Sequence, residues 1–120
     1  MLEALAPFGF ELRGWSRSPK DLPGVRCYHG QGSLDDFLRG TRVLVCMLPL
    51  TPDTRGLIDT AVLRQLPRGA ALVNLARGAH VVDADLLAAL DDGHLGHAVL
   101  DVFHQEPLPT GHRYWTHPAV

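Results

Sequence analysis

The sequence predicts an α/β fold built on a doubly wound parallel sheet, and three observations carry that prediction. Strand and helix patterns alternate four times, with short connections, along 120 residues. Two of the strands, Arg42 to Leu48 and Ala70 to Ala76, read as near-continuous apolar runs, the pattern of strands covered on both faces. The second run delivers a lone cation, Arg77, followed by a glycine and a fresh helix start. Ligands of open α/β sheets sit at that carboxyl edge.

The elements follow in order. Met1 to Phe8 reads as the tail of a helix, with Leu2, Leu5 and Phe8 at three-residue spacing and Pro7-Phe8-Gly9 closing it. Glu11 to Trp15 is a short strand, and Ser16-Arg17-Ser18-Pro19-Lys20 a polar turn. Val25 to His29 is a second strand, and Ser33 stands in a capping position before a short helix through Leu38. After the strand Arg42–Leu48, a helix is expected over Thr54 to Leu66, with Leu57, Ile58, Val62 and Leu66 on one face and Pro67-Arg68-Gly69 as its stop. Asp83 to Leu90 is the helix after the Ala70–Ala76 strand, with acids in its first turn and Asp92-Gly93 ending it. His97 to Phe103 is the last strand, and Glu106 to Val120 is irregular.

The length suits one domain rather than two full lobes. A net charge of −2 and a pI near 6.3 give no footprint for nucleic acid or an anionic membrane. Runs such as Val43 to Leu48 are too short to span a bilayer, and Met1-Leu2-Glu3-Ala4 has no signal-peptide pattern. Cys27 and Cys46 read as reduced, packed thiols of a cytoplasmic protein. Among seven histidines, His94 and His97 are three apart and His104, His112 and His117 follow. No cysteine or carboxylate pair joins them at ligand spacing, and Leu95-Gly96 between the first two reads as a turn, so they are read as scattered surface residues.

Arg77 carries the chemistry. A planar guanidinium grips a carboxylate through two hydrogen bonds, which suits an anion at a strand's end. The plain alternative is a surface arginine.

Four ordered segments go further: Trp15-Ser16-Arg17-Ser18-Pro19-Lys20, Leu48-Pro49-Leu50-Thr51-Pro52-Asp53-Thr54, Asn74-Leu75-Ala76-Arg77-Gly78, and Leu100-Asp101-Val102-Phe103 leading to Glu106-Pro107-Leu108-Pro109. Together they resemble the Rossmann-like cofactor-binding domain of the D-isomer-specific 2-hydroxyacid dehydrogenases, nearest to the branch that reduces glyoxylate and hydroxypyruvate. The resemblance covers nearly the whole chain. It implies that Arg77 holds the substrate carboxylate and polarises the reacting carbonyl. By the same likeness Glu106 hydrogen-bonds a catalytic histidine, stabilising its imidazolium form. Asp101 would meet the nicotinamide carboxamide, Leu48, Pro49 and Thr54 would line the adenosine and pyrophosphate side, and Leu75 and Ala76 would pass under the nicotinamide. Taken alone, Glu106 reads more readily as a helix-cap or turn carboxylate, and Asp101 as a turn former. Pro49 and Pro52 also suit a rigid turn without any ligand.

At the end of the second strand of such a domain, an acid accepts from a free ribose 2′-hydroxyl and a cationic cluster accommodates a 2′-phosphate. In this chain Ser16, Arg17, Ser18 and Lys20 precede any acid. That favours NADPH over NADH, the alternative being a solvated basic turn. The substrate implied is a small 2-keto or 2-hydroxy acid, and a homodimer is the expectation for the full-length protein.

Two family features are absent. No G-x-G-x-x-G occurs, since Gly30-Gln31-Gly32 is followed by Asp35 where a glycine would stand. The acid/base histidine would fall a few residues beyond His117-Pro118-Ala119-Val120. The chain is therefore expected to be part of an NAD(P)-binding domain, inactive alone, without the first strand and the substrate lobe. Loss of that strand would leave Glu11–Trp15 and Arg42–Leu48 as sheet edges facing a gap, or make them pair with each other. D-lactate, phosphoglycerate or formate dehydrogenase relatives, which more often carry an acid after Trp15, are the rivals within the class. A non-catalytic nucleotide-binding module or decayed remnant is the rival outside it.

Overall fold

The computed structural model describes residues 1–120, which form two compact units, Met1–Thr41 and Arg42–Val120. The first holds a short helix α1 (Leu2–Leu5) with a 3-10 turn (Ala6–Phe8), strands β1 (Leu12–Ser16) and β2 (Val25–His29), and helix α2 (Leu34–Arg39). The second holds β3 (Val43–Cys46), α3 (Thr60–Gln65), β4 (Ala70–Asn74), α4 (Asp83–Asp91) and β5 (Leu95–Leu100). Every strand pair is parallel, in two sheets ordered β1-β2 and β3-β4-β5. The α/β class with parallel sheets is as the sequence predicts. β1 and β3 do not pair with each other.

In the first unit β1 and β2 run level from Leu12 opposite Val25 to Ser16 opposite His29. Helix α2 buries Leu34, Phe37 and Leu38, and Phe37 meets Tyr28 edge-on at 5.8 Å. Ser33 stands at the N-cap as expected, but its hydroxyl gives no cap hydrogen bond. It donates instead to the carbonyls of His29 and Gly30.

In the second unit the covered face of the sheet is made by Leu44, Cys46, Leu72, Asn74 and Ala98. Helix α4 packs against β5 and α3 against α4, which seals Leu63, Leu72, Leu86 and Leu95. The sheet's other face carries Val43, Ala71 and His97 in one row and Val45, Val73 and Val99 in the next. Val43 and Val99 are each 58% exposed. This corrects the expectation of strands covered on both faces: burial alternates along β3, with Leu44 and Cys46 buried and Val43 exposed. A register shift opposite Ala70 is accommodated by Gly96, where a Cβ would stand 2.9 Å from the Gly69 carbonyl oxygen.

The helix expected from Thr54 is the other correction. Helix α3 begins only at Thr60. The Thr54 hydroxyl donates to the Pro49 carbonyl at 2.7 Å and accepts the Thr51 amide at 2.8 Å, so it closes a turn that competes with helix. Gly56 then takes a left-handed φ of 64°, and Ile58 bridges to Val81 in parallel. Asp59 is the true N-cap, its carboxylate accepting the Val62 amide at 3.0 Å. The Leu95-Gly96 pair, expected as a turn, opens β5.

Leu72 is fully sealed in the middle strand, so Leu72→Ala removes its packing and leaves a cavity. Urea titration should show a midpoint lowered by the equivalent of about 2–5 kcal/mol with an unchanged slope. A midpoint within error of the parent would mean that this face of β4 is not packed.

Candidate active site

Because β4 lies between β3 and β5, and Cys46, Asn74 and Leu100 stand level across them, the segments that follow leave the sheet along one edge. Leu48–Pro49, Leu75–Ala76–Arg77 and Asp101 are those segments. The Leu75 amide donates to the Cys46 carbonyl at 3.2 Å and the Asp101 amide to the Asn74 carbonyl at 3.1 Å, which carries the pairing one step past the strands.

Asn74, only 1% exposed, shapes the central loop. Its Nδ2 donates to the Arg77 carbonyl at 2.9 Å, and its Oδ1 accepts the Ala76 amide at 3.1 Å. The Arg77 carbonyl also accepts the His80 amide at 3.2 Å and faces His80 Nδ1 at 3.1 Å. Arg77 is thereby held in extended backbone (φ −143°, ψ 147°), opening a 3-10 turn over Gly78–His80. Its guanidinium is exposed, donates from Nη1 to the Ala76 carbonyl at 2.7 Å, and has no carboxylate partner. A rigid base carrying a guanidinium with no carboxylate partner is the arrangement an anion needs.

Gly78 is buried against the next loop. A Cβ there would stand 2.0 Å from the Phe103 carbonyl carbon and 2.3 Å from the His104 amide nitrogen. Its φ is not left-handed, so the glycine is required for volume alone. The neighbouring loop folds over Glu106, whose Oε1 accepts the Phe103 amide at 3.0 Å. That is the turn carboxylate its surroundings allowed, and its other oxygen stays free. Asp101 is exposed, with a carboxylate that forms no hydrogen bond or ion pair. Leu48 is half-buried, Pro49 exposed, Leu75 exposed and Ala76 buried. The Thr54 hydroxyl is occupied within its own turn.

In the first unit, the Ser16 hydroxyl donates to the Ser18 carbonyl at 2.7 Å and closes the polar turn. Arg17, Ser18 and Lys20 are exposed, and neither cation pairs with a carboxylate. The turn therefore presents two free positive charges, chemistry suited to a phosphate.

Sequence reasoning gave no role to Asn74 or His80. His80 is fully buried, with Nε2 facing the Pro49 carbonyl at 3.3 Å. The signal for Asn74 was a lone amide ending an apolar strand three residues before the cation. Three further histidines of this unit are held by distant parts of the chain: His94 by the Leu63 carbonyl, His104 by the Val81 carbonyl, His117 by Asp91. No group of three or more histidine, cysteine or acidic side chains is arranged to hold a metal. A shallow concavity of about 300 Å³ lies among Leu90, Asp91, Arg113, Thr116, His117 and Pro118. None of the residues assigned to substrate or cofactor lines it, and its charged groups satisfy one another. Arg113 and His117 on Asp91 hold that carboxyl below its ordinary range. Burial, with the Asp83 carboxylate accepting from its hydroxyl at 2.7 Å, pushes Tyr114 far above the ordinary phenol range.

The family described as D-isomer specific 2-hydroxyacid dehydrogenase, NAD binding domain, matches residues 1–120. Glyoxylate/hydroxypyruvate reductase A of Klebsiella pneumoniae strain 342 is 53% identical over 118 residues, which are 98% of this chain and 38% of that protein. A D-isomer specific 2-hydroxyacid dehydrogenase from Xanthobacter autotrophicus Py2, solved in complex with NADPH and MES, superposes with a TM-score of 0.91 at 54% identity, covering 93% of this chain and 36% of that one. The NADPH-dependent glyoxylate/hydroxypyruvate reductase of Sinorhizobium meliloti, solved with NADP and sulfate, gives a TM-score of 0.93 at 45% identity over 98% of this chain and 39% of that one. The chain thus spans under two fifths of the length of these three relatives.

The close approach at Gly78 has a direct test. Gly78→Ala must displace backbone and should destabilise the protein by about 1–3 kcal/mol or more. Gly111→Ala, with nothing within 4 Å of the added methyl, should stay within about 0.5 kcal/mol of the parent in the same urea titration. Equal effects of the two changes would remove the volume argument.

Proposed function

Since the chain belongs to the D-isomer specific 2-hydroxyacid dehydrogenases, matching their NAD-binding domain throughout, we propose that the whole protein uses NADPH to reduce a small 2-keto acid, glyoxylate or hydroxypyruvate, to the 2-hydroxy acid. The observation that carries this reading is the unpaired Arg77 fork, set on a backbone pinned by Asn74 and His80 at the carboxyl edge of the sheet. Residues 1–120 are read as part of the NAD(P)-binding domain, with the glycine-rich turn and the substrate lobe supplied by other parts of the whole protein. Two unpaired thiols suit a reducing cytoplasm, and a homodimer is the assembly expected of the whole protein.

Arg77 grips the substrate carboxylate and draws charge from the carbonyl as it becomes an alkoxide. The free oxygen of Glu106 orients and stabilises an imidazolium that protonates that alkoxide, a donor the resemblance places beyond residue 120. Asp101, with its carboxylate free, accepts from the carboxamide of the nicotinamide, and Leu48, Pro49, Thr54, Leu75 and Ala76 form the wall along the cofactor. The nicotinamide supplies the hydride. Ser16, Arg17, Ser18 and Lys20 favour the 2′-phosphate over a free ribose hydroxyl, as two exposed and unpaired cations suit. The bound NADPH and NADP of the two relatives support this preference.

The defining measurement is loss of reduced-nicotinamide absorbance with each keto acid. The full-length protein should turn over, and the 120-residue chain alone should not, lacking both the proton donor and the glycine turn. Robust turnover by the bare chain would overturn this division of labour.

In the full-length protein Arg77→Lys should lower kcat/KM for glyoxylate by on the order of tenfold or more while leaving the unfolding midpoint nearly unchanged, because a point charge cannot replace a bidentate fork. Wild-type kcat/KM would strip Arg77 of its role. Neutralising Arg17 and Lys20 together should raise KM for NADPH by roughly tenfold per lost contact and leave KM for NADH nearly untouched. Equal effects on both cofactors would make the turn merely solvated.

A further inference from the structure

We propose that His80 is a positioning residue for this reduction, its buried ring holding the Arg77 loop and the Pro49–Thr54 turn at a fixed separation; the role rests on the function proposed above. The ring is fully sealed, so it cannot itself reach a substrate or act as the acid. Its Nδ1 faces the Arg77 carbonyl at 3.1 Å and its Nε2 the Pro49 carbonyl at 3.3 Å. Each of those oxygens is also held from its own side, by Asn74 Nδ2 at 2.9 Å and by the Thr54 hydroxyl at 2.7 Å. The imidazole therefore stands between two separately built turns, one carrying the substrate anchor and the other the cofactor wall. The backbone adds a parallel link, with the Gly56 amide donating to the Ala79 carbonyl at 2.8 Å and the Ile58 amide to the His80 carbonyl at 2.9 Å.

The exposed Arg77 side chain has no carboxylate to aim it, so its direction is set by the backbone beneath. A ring that fixes that backbone fixes the approach of the guanidinium, and a misplacement of about 1 Å from a residue outside the chemistry can cost on the order of 10²-fold in rate. A neutral imidazole donates from one nitrogen only, so the two arms are not equivalent and can be told apart by substitution. An asparagine amide replaces the Nδ1 arm toward Arg77. A glutamine amide reaches as far as the Nε2 arm toward Pro49.

His80→Leu, His80→Asn and His80→Gln in the full-length protein make the test. The leucine variant should lose roughly 10- to 100-fold in kcat for glyoxylate. The asparagine variant should recover most of that kcat and the glutamine variant much less. Hydrogen exchange at the Gly56 and Ile58 amides should quicken in the leucine variant and slow again with asparagine. A leucine variant with parent kcat overturns the proposal, as does an equal loss of kcat in all three, which packing alone would give. Should the leucine variant fail to fold, the ratio of asparagine to glutamine kcat decides alone, and a ratio of one overturns it. If the parent protein reduces neither keto acid, the function falls, while amide exchange still judges the linkage.

Discussion

The carbonyl oxygen of Arg77 organises the functional edge of the sheet. It accepts from Asn74 Nδ2 and the His80 amide and faces the His80 ring. Each such bond is worth only about 0.5–1.5 kcal/mol net, but a sealed polar group left without its partner costs about 1–3 kcal/mol, so the set is stable together and fragile singly. It also explains why two polar side chains sit among leucines. Asn74 is buried with both its amide nitrogen and its oxygen hydrogen-bonded, and the buried His80 sets each ring nitrogen against a backbone carbonyl oxygen. The core accepts them because they replace, for an irregular loop, the backbone pairing that β4 loses at its end.

Helix α4 plays the matching part on the covered side through its aspartates. Asp83 accepts from Tyr114, Asp85 takes the Thr60 amide at the start of α3, Asp91 pairs with Arg113 and His117, and Asp92, the C-cap, pairs with Arg64. One short helix therefore ties down both α3 and the irregular tail. The tail needs such anchors because residues 101–120 form no strand and only a 3-10 turn over Arg113–Trp115. Most of these pairs are exposed, so they guide the path of the chain more than they stabilise it.

Much of the fold was legible because apolar periodicity and turn chemistry agreed. β2 matches its expected span, β1, β4 and β5 shift by one or a few residues, and Asp83 does open α4. Where the reading failed, a tertiary partner had overridden a local pattern. Leu57 and Ile58 fit a helical face, yet Ile58 lies beside Val81 and Gly56 turns left-handed. The apolar run of β3 suggested cover on two faces, but composition cannot say how many helices there are to provide it. At the candidate site, Arg77 and its neighbours stood out because a charge at a strand's end is chemically conspicuous. Asn74 and His80 did not, since their importance lies in which carbonyl they face, and no spacing rule encodes that.

The packing of Gly78 against the Phe103 carbonyl and the His104 amide has a dynamic consequence. With no room for even a methyl group between them, the two loops have no independent low-energy displacement. The backbones that carry Arg77 and Glu106 are therefore coupled, and a shift of one loop requires a shift of the other. The stiffness resides in two backbones pressed against each other, so side-chain fluctuations at the surface pass over it without loosening the pair.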